Sequence, residues 1–481
     1  VVHLGTEGFV SHAKTALQDA PLQEALQLLV HNFAPRRVQA MAALGNPEEL
    51  RTQARAIKEH TIAHLDTYLE QFATQLDRLG VHVHWADDAA EARQIITSIA
   101  QAAEAKVVVK GKSMATEEIE LNPHLEQQGF EVVETDLGEY IIQLAKESPS
   151  HIIAPAIHKT RRQIAELFHD KLQTPYTDEI TEMTQLARRQ LRQQFLRADV
   201  GITGVNFAIA ETGSIVIVTN EGNGRLSSTL PKVHVALMGM EKLIPRLSDL
   251  SVMLKVLTNS ATGQKISSYV TMMTGPRRAH DLDGPEALHV VIMDNGRSSI
   301  LRSANREALY CLRCGACLNV CPIYQNIGGH AYGWVYPGPI GAVLTPLFVG
   351  LEPAHHLPRA STLCGACRDA CPVKINIPHM LLNLRQELVD QRDVHWSEVW
   401  LFKLWARLMQ HPRFYTWATR LAGWMQKPLA RQGWIGKLPP PFHGWTQSRD
   451  FKAAAPVSFR RRWQQTLQHE RAMPSGRWRD G

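Results

Sequence analysis

Cys311-Leu312-Arg313-Cys314-Gly315-Ala316-Cys317-Leu318-Asn319-Val320-Cys321-Pro322 packs four cysteines into eleven residues and closes with a proline. The spacing, Cys-x2-Cys-x2-Cys-x3-Cys-Pro, is that of a bacterial ferredoxin run holding a [4Fe–4S] cluster. Three thiolates three residues apart on a tight turn each reach a different iron of one small cube. The fourth, followed by proline, starts a new direction and ligates a second cluster where two are present. Zinc prefers two separated Cys-x2-Cys knuckles and fits this crowding badly.

A second run, Cys364-x2-Cys367-x3-Cys371-Pro372, repeats the last three positions of the first, with Ser361 where the leading cysteine would stand. All seven cysteines of the chain fall between positions 311 and 371. An odd number crowded into one stretch is metal chemistry rather than a disulfide framework. Crossed ligation gives cluster 1 to Cys311, Cys314, Cys317 and Cys371, and cluster 2 to Cys321, Cys364 and Cys367. One iron of cluster 2 then lacks a cysteine. It binds Ser361, another side chain, or a partner or solvent ligand, or it is absent and the centre is [3Fe–4S]; an empty second site is the bland alternative. Gly315 and Gly365 let backbone N–H groups approach the sulfurs and tune potential. The Gly- and Pro-rich stretch between the runs, including Gly328-Gly329 and Tyr336-Pro337-Gly338-Pro339, points to an α-helical ferredoxin-type domain with an insertion. Clusters of this kind need a reducing compartment, so a cytoplasmic protein, or one on the inner face of the membrane, is expected.

Working outward, the 481 residues exceed one core and imply several domains. Hydrophobic residues at 44% and charged residues at 20% exclude bulk disorder and a disulfide miniprotein. No apolar run reaches the ~20 residues of a membrane-spanning helix; the longest, Gly341 to Leu351, contains Pro346. The start, Val1-Val2-His3, has no secretory-signal pattern, and its missing Met implies a processed or trimmed start.

Residues 10–80 read as helical, with apolar residues at i, i+3 and i+4. From 81 to 300, β-branched runs at 107–109, 130–133, 151–153, 214–218 and 289–292 alternate with helical stretches such as 88–104 and 178–197. Strand–helix alternation predicts an α/β domain with a largely parallel sheet. The domain order expected is a helical region 1–80, an α/β domain 81–300, the iron–sulfur domain 301–390 and a C-terminal region 391–481.

Within the α/β domain, Gly111-Lys112-Ser113 fails as a phosphate loop because Lys106 replaces the required glycine. The cluster Lys110, Lys112, Ser113, Glu117 and Glu118 suits the carboxyl end of a parallel strand, where ligands bind, or a helix start capped by Ser113. Gly222-x-Gly224 beside Arg225 reads as an anion cradle or as a connector needing positive φ. Glu211 is an acid/base candidate or a turn carboxylate, the latter being the safer reading. No Walker, dinucleotide or metal-histidine pattern assigns a catalytic residue.

The tail is compositionally distinct. Residues 391–481 hold 16 Lys/Arg against 5 Asp/Glu, a net +11, and nine of the eleven tryptophans. The preceding 390 residues therefore sum to −5. Trp396, Trp400, Leu404 and Leu408, then Phe414, Trp417, Leu421 and Trp424, recur at helical spacing. Such a face covers the cluster domain, grips a partner subunit or lies on an anionic membrane. From Gly433 the composition suggests an extended arm. Nucleic acid is not expected, because no recognition motif accompanies the charge.

These features resemble the lactate-utilisation iron–sulfur (LutB/YkgF) family. The matching stretches are Lys112–Ile119 (KSMATEEI), Glu134–Gln143 (ETDLGEYIIQ), His151–His158 (HIIAPAIH), Gly201–Gly213 (GITGVNFAIAETG) and both cysteine runs. The resemblance spans nearly the whole chain. It implies an α/β lactate-utilisation (LUD) domain of NagB/RpiA/CoA-transferase-like fold. It also implies that Ser361 in place of an eighth cysteine is shared by relatives. The implied role is in L-lactate oxidation to pyruvate, as part of a non-NAD lactate dehydrogenase complex and not catalytic alone. The implied partners are a Cys-rich heterodisulfide-reductase-like subunit and a second LUD-domain subunit. Because lactate oxidation releases electrons, a membrane-surface or quinone-linked acceptor is expected as well. Three roles compete: an electron-transfer subunit, a LUD domain that itself oxidises the hydroxy acid, and a structural assembly subunit.

Overall fold

The computed structural model describes residues 5–391, 396–440, 442–447, 449–455 and 457–472. The chain divides into two compact units, Val1–Asp393 and Val394–Gly481.

The first unit opens with helices Phe9–Gln18, Ala20–Ala42, Pro47–Ala63 and Leu65–Arg78, as the 10–80 periodicity predicts. Ten strands follow: β1 (His82–Ala86), β2 (Val107–Lys110), β3 (Glu131–Glu134), β4 (Val200–Gly204), β5 (Phe207–Ile209), β6 (Ser214–Thr219), β7 (Val233–Gly239), β8 (Leu243–Ile244), β9 (Tyr269–Met273) and β10 (Ala287–Met293). Six of them form a wholly parallel sheet in the order β1-β10-β7-β4-β2-β3. Its central strands are buried on both faces. Val107, Val108, Val109 and Lys110 of β2 are all buried, which explains a continuous Val run in place of alternation. Helix Ala89–Ala102 follows β1 and is capped by Asp88, whose carboxylate accepts the Glu91 amide at 2.9 Å.

A second sheet was not foreseen from the sequence. It runs β8-β5-β6-β9, with β5–β6 and β6–β9 antiparallel and β5–β8 parallel. The β5–β6 hairpin turns through Gly213 at φ +67°, where a Cβ would lie 2.9 Å from Gln75 of helix Leu65–Arg78 and from Leu79, its C-cap.

One expected strand is absent. Residues 151–153 lie in a series of bends. The Ile153 and Ala154 amides donate to His151 Nδ1 at 3.1 and 3.2 Å, and the Ser150 amide donates to Pro155 O at 3.0 Å. Local acceptors thus take the donors that a ladder would need.

The cysteine region follows the sheet and shares its core. One cluster of buried apolar side chains runs from Leu29 and Phe72, through Ile209 and Met253, to Tyr324 and Leu384. The longest apolar run of the chain becomes helix Gly338–Val349, whose first nine residues are all buried. Apolar side chains all round are what a fully enclosed helix requires. Among the described residues no helix is long and apolar enough to cross a membrane.

The second unit contains helices Trp396–Gln410 and Pro412–Met425, as the spacing predicts. Trp400, Trp417 and Trp424 are 67%, 65% and 68% exposed, so these aromatic side chains are uncovered. Beyond Gly433 the chain is not simply an extended arm. β11 (Trp434–Ile435) pairs antiparallel with β12 (Phe451–Lys452), and a helix spans Phe459–Ala472. That last stretch contains neither Pro nor Gly, which the average composition of the tail conceals.

Candidate metal centre and adjoining cavity

The two cysteine runs fold into matching turns. In the first, Arg313 takes φ +59° and its amide donates to Cys311 Sγ at 3.4 Å. Gly315 at φ +73° then starts the short helix Ala316–Asn319, and the Ala316 amide donates to Cys314 Sγ. In the second, Leu363 takes φ +54° and its amide donates to Ser361 Oγ at 3.1 Å. Gly365 at φ +86° starts helix Ala366–Ala370, and the Ala366 amide donates to Cys364 Sγ. Both glycines therefore do what their loop position predicts: they turn an amide onto a sulfur.

The seven thiols separate into two neighbourhoods. Cys311, Cys314, Cys317 and Cys371 line one small cavity, walled by apolar residues including Ile152, Ile340 and Ile377. Burial, then Cys371 and Cys311, push the Cys314 thiol up to about 12. Burial also raises Cys371 to about 11. Elsewhere, Cys367 is raised to about 12 by burial and then by Cys321, with Cys364 a further influence. Cys364 is exposed, and a side-chain hydrogen bond with Thr362 holds its thiol below the usual range.

Thiols packed this way ionise only against a compensating cation. Among the described residues no three Cys, His, Asp or Glu side chains converge tightly enough for one metal ion. Four thiols ringing a void, without converging on a point, fit a polynuclear iron–sulfur core better than a single zinc.

Basic side chains flank the buried quartet. Arg51 donates to Cys371 O from Nε at 3.1 Å and Nη2 at 2.8 Å, and Arg37 Nη2 donates to Ala370 O at 2.8 Å. Lys58 donates to the carbonyls of Glu241 and Leu243, and burial lowers its ammonium to about 7. His151 Nε2 donates to Asn319 Oδ1 at 3.1 Å, and a Cβ on Gly315 would meet the His151 ring at 2.9 Å. Burial keeps this imidazole neutral, lowered to about 3.

Beside the quartet lies a larger cavity of about 260 Å³. It opens where β2, β4 and β7 end, at Lys112, Gly204 and Gly239. From β2 the chain steps outward to β3, then crosses back over β2 to β4 and on to β7, so this reversal is the topological switch point at which α/β sheets bind ligands. Leu312 and Arg313 of the first cysteine turn form part of its wall.

A buried ion-pair network backs this wall. Arg297 donates to Glu118 from Nη1 at 2.9 Å and Nη2 at 3.0 Å, and from Nε to Glu241 Oε2 at 2.6 Å. Tyr336 Oη donates to Glu118 Oε2 at 2.7 Å, and Arg313 Nη2 lies 3.6 Å from Glu241 Oε1. Burial works against the Glu241 carboxylate, but Arg297 and Arg313 hold it down at about 2.

The polar residues singled out in the sequence distribute unevenly. Ser113 caps helix Met114–Glu118, as one reading of that cluster has it, and also lines the cavity at the strand ends. Lys110 is buried between Glu117 at 2.8 Å and Glu134 at 2.7 Å. Lys112 lines the cavity and donates to Ile153 O at 2.7 Å. Glu211 accepts the Leu247 amide at 2.9 Å and is a turn carboxylate outside the cavity. Gly222, at φ +76°, is a connector, and a Cβ on Gly224 would sit 2.9 Å from Ile217 and Thr219. Sequence reasoning missed Arg37, Arg51, Lys58, Glu241, Lys242, Arg297 and Arg313. A usable signal was present: Arg51, Arg55 and Lys58 stand at i, i+4 and i+7 on one helix face.

Family models match both regions of the first unit. The LUD domain family matches residues 69–293, and a 4Fe-4S dicluster domain matches residues 307–375. Lactate utilization protein B of Shouchella clausii is 46% identical over 94% of this chain and 95% of its own length. The protein of that name from Geobacillus kaustophilus is 47% identical over 90% and 91%, and that from Bacillus subtilis 44% identical over 95% and 96%. A solved structure of a duf162 family protein from Deinococcus radiodurans aligns with 48% of this chain and 98% of its own, at 16% identity and a TM-score of 0.28.

Proposed function

This chain belongs to the lactate utilization protein B family, and on that premise we propose that it is the iron–sulfur electron-transfer subunit of a multi-protein system oxidising L-lactate to pyruvate. Cys311, Cys314, Cys317 and Cys371 would hold one [4Fe–4S] cluster. Cys321, Cys364 and Cys367 would hold the second, with Ser361 beside its open iron. Bound clusters supply one-electron redox chemistry, whereas lactate oxidation releases two electrons and two protons.

The observation that carries this reading is the asymmetry of the two thiol sets. One is enclosed and adjoins the cavity at the strand ends; the other reaches the surface at Cys364. Cys314, Cys317 and Cys371 of the inner set are buried, and Cys364 alone offers the outer set to a partner. The partners proposed are a Cys-rich heterodisulfide-reductase-like subunit and a second LUD-domain subunit, in the cytoplasm. The exposed Trp and Lys/Arg side chains of the second unit suit a partner subunit or the inner membrane surface leading to a quinone.

A second reading, in which the LUD domain itself oxidises the acid, draws support from the cavity sharing Arg313 with the first cysteine turn. EPR on anaerobically prepared protein separates them. Reduction by L-lactate only in the presence of partner subunits supports the electron-transfer role. Reduction by the chain alone supports the second reading, and centres inert to every donor leave a structural role.

A further inference from the structure

We propose that the cavity of about 260 Å³ at the ends of β2, β4 and β7 binds the carboxylate of a small 2-hydroxy acid through Arg313 and Lys242. The identity of the acid rests on the function proposed above; the binding site rests on the cavity itself.

The volume approaches the lower end of the ~300–1,000 Å³ usual for ligand pockets. Arg313 supplies the decisive observation. Its side chain is 7% exposed, yet Nη1 has no hydrogen-bond partner among the described residues. A buried guanidinium nitrogen without an acceptor is costly, and an anionic ligand removes that cost. The guanidinium cannot turn freely to find another partner. Its Cζ stacks 4.6 Å over the Tyr336 ring, and Nη2 faces Glu241. Lys242 lines the same cavity and forms no ion pair within 4 Å among the described residues. Its neighbour Glu241 is already engaged by Arg297.

The cavity also carries the carboxylates of Asp136 and Glu221. Asp136 is fixed by the Gly138 amide at 3.0 Å and by Asn223 Nδ2 at 3.3 Å. These oxygens accept hydrogen bonds and repel a second negative charge. A ligand with one carboxylate and one hydroxyl suits both kinds of lining; a dicarboxylate does not. Arg313 stands between Cys311 and Cys314 and its amide donates to Cys311 Sγ, so the residue that grips the acid belongs to the turn around the buried thiols.

The test is equilibrium binding of labelled L-lactate to the full-length, iron-loaded chain without partners, with propionate as the analogue lacking the hydroxyl. One saturable site that prefers L-lactate is expected. K242M should weaken it about tenfold or more, the usual loss for a hydrogen bond to a charged group, with iron content unchanged. If K242M loses iron, E221Q replaces it and should erase the preference for L-lactate over propionate. No saturable L-lactate binding by iron-loaded protein, or wild-type affinity in K242M with its iron intact, overturns the inference. Lactate-dependent reduction with partners would then still uphold the electron-transfer reading. A chain that takes up no iron sinks that reading instead.

Discussion

Ser361 and Cys311 occupy equivalent positions: Ser361 Oγ holds the Leu363 amide at 3.1 Å in the kind of left-handed turn in which Cys311 Sγ holds the Arg313 amide at 3.4 Å. The two segments are therefore a repeated turn in which oxygen replaces sulfur. A hydroxyl is a harder and poorer iron ligand than a thiolate. Ser361→Cys should supply the missing thiolate and raise the iron content toward about eight per chain, the complement of two cubane clusters. Iron and sulfide assay with EPR checks this. An unchanged iron count and unchanged g-values would place the open iron elsewhere.

Arg297 joins the sheet to the cysteine region through Glu118, Glu241 and, by way of Glu118, Tyr336. Its side chain and both carboxylates are at most 2% exposed. Arg297→Met leaves two buried acids without their main counter-charge. Breaking such a network costs about 3–5 kcal/mol. Urea denaturation should show the midpoint falling accordingly, and Glu118→Gln in the same chain should recover part of the loss.

The parallel sheet was legible because β2 and β10 are largely buried runs rich in β-branched residues, whereas the equally legible run of β6 proves to lie in the second sheet. The cysteine turns were legible because ligand spacing is fixed by cluster chemistry. The second sheet was not, since β5 and β8 are three and two residues long and leave no periodicity to read. Nor was the cavity. Lys112, Lys242 and Arg313 reach it from the ends of separate strands and from a turn some 70 residues beyond Lys242, a juxtaposition that only the chain crossing creates. His151 read as strand because its neighbours Ile152 and Ile153 are β-branched, while its ring captures the amides a strand would offer.

His234 gives the stability a pH dependence. It lies on the central strand β7, 0% exposed, paired with Thr203 Oγ1 at 2.8 Å and with Nδ1 unpartnered among the described residues. Burial lowers it from 6.5 to about 3, so the folded chain resists a proton that the unfolded chain accepts. Its contribution is complete above pH 6.5 and is lost as pH falls from there toward 3. The slope for one such group is at most about 1.4 kcal/mol per pH unit. His234→Gln should flatten the stability curve between pH 6.5 and 5, measured by urea titration. A slope equal to wild type would mean that the ring is protonated in the fold.

Cys364 is the exposed thiol of the seven; Cys311 is partly exposed and the other five are buried. Oxidants reach a thiolate by access as well as by its ionisation. Brief exposure of iron-loaded protein to ferricyanide should therefore bleach first the centre proposed at Cys321, Cys364 and Cys367, leaving the inner one. Time-resolved EPR reads the order of loss, and simultaneous decay of both signals contradicts it.

Arg51 and Arg37 place guanidinium groups beside the carbonyls of Cys371 and Ala370, at the rim of the buried thiol quartet. A positive charge near an anionic centre stabilises its reduced form, which carries one more electron, and so raises its potential. At roughly 8 Å and an effective dielectric near 20, one charge is worth about 2 kcal/mol, or somewhat under 100 mV for one electron. Arg51 also packs its hydrogen bonds against the Cys371 turn, so Arg51→Gln keeps a donor there while removing the charge. Redox titration followed by EPR should show the inner centre's potential falling by tens of millivolts, with the outer one nearly unmoved. The two respond differently because Arg51 is bonded to the Cys371 carbonyl of the inner set, while the outer set reaches water at Cys364. Equal shifts in both centres, or none in either, would mean that the arginine field does not set the difference between them.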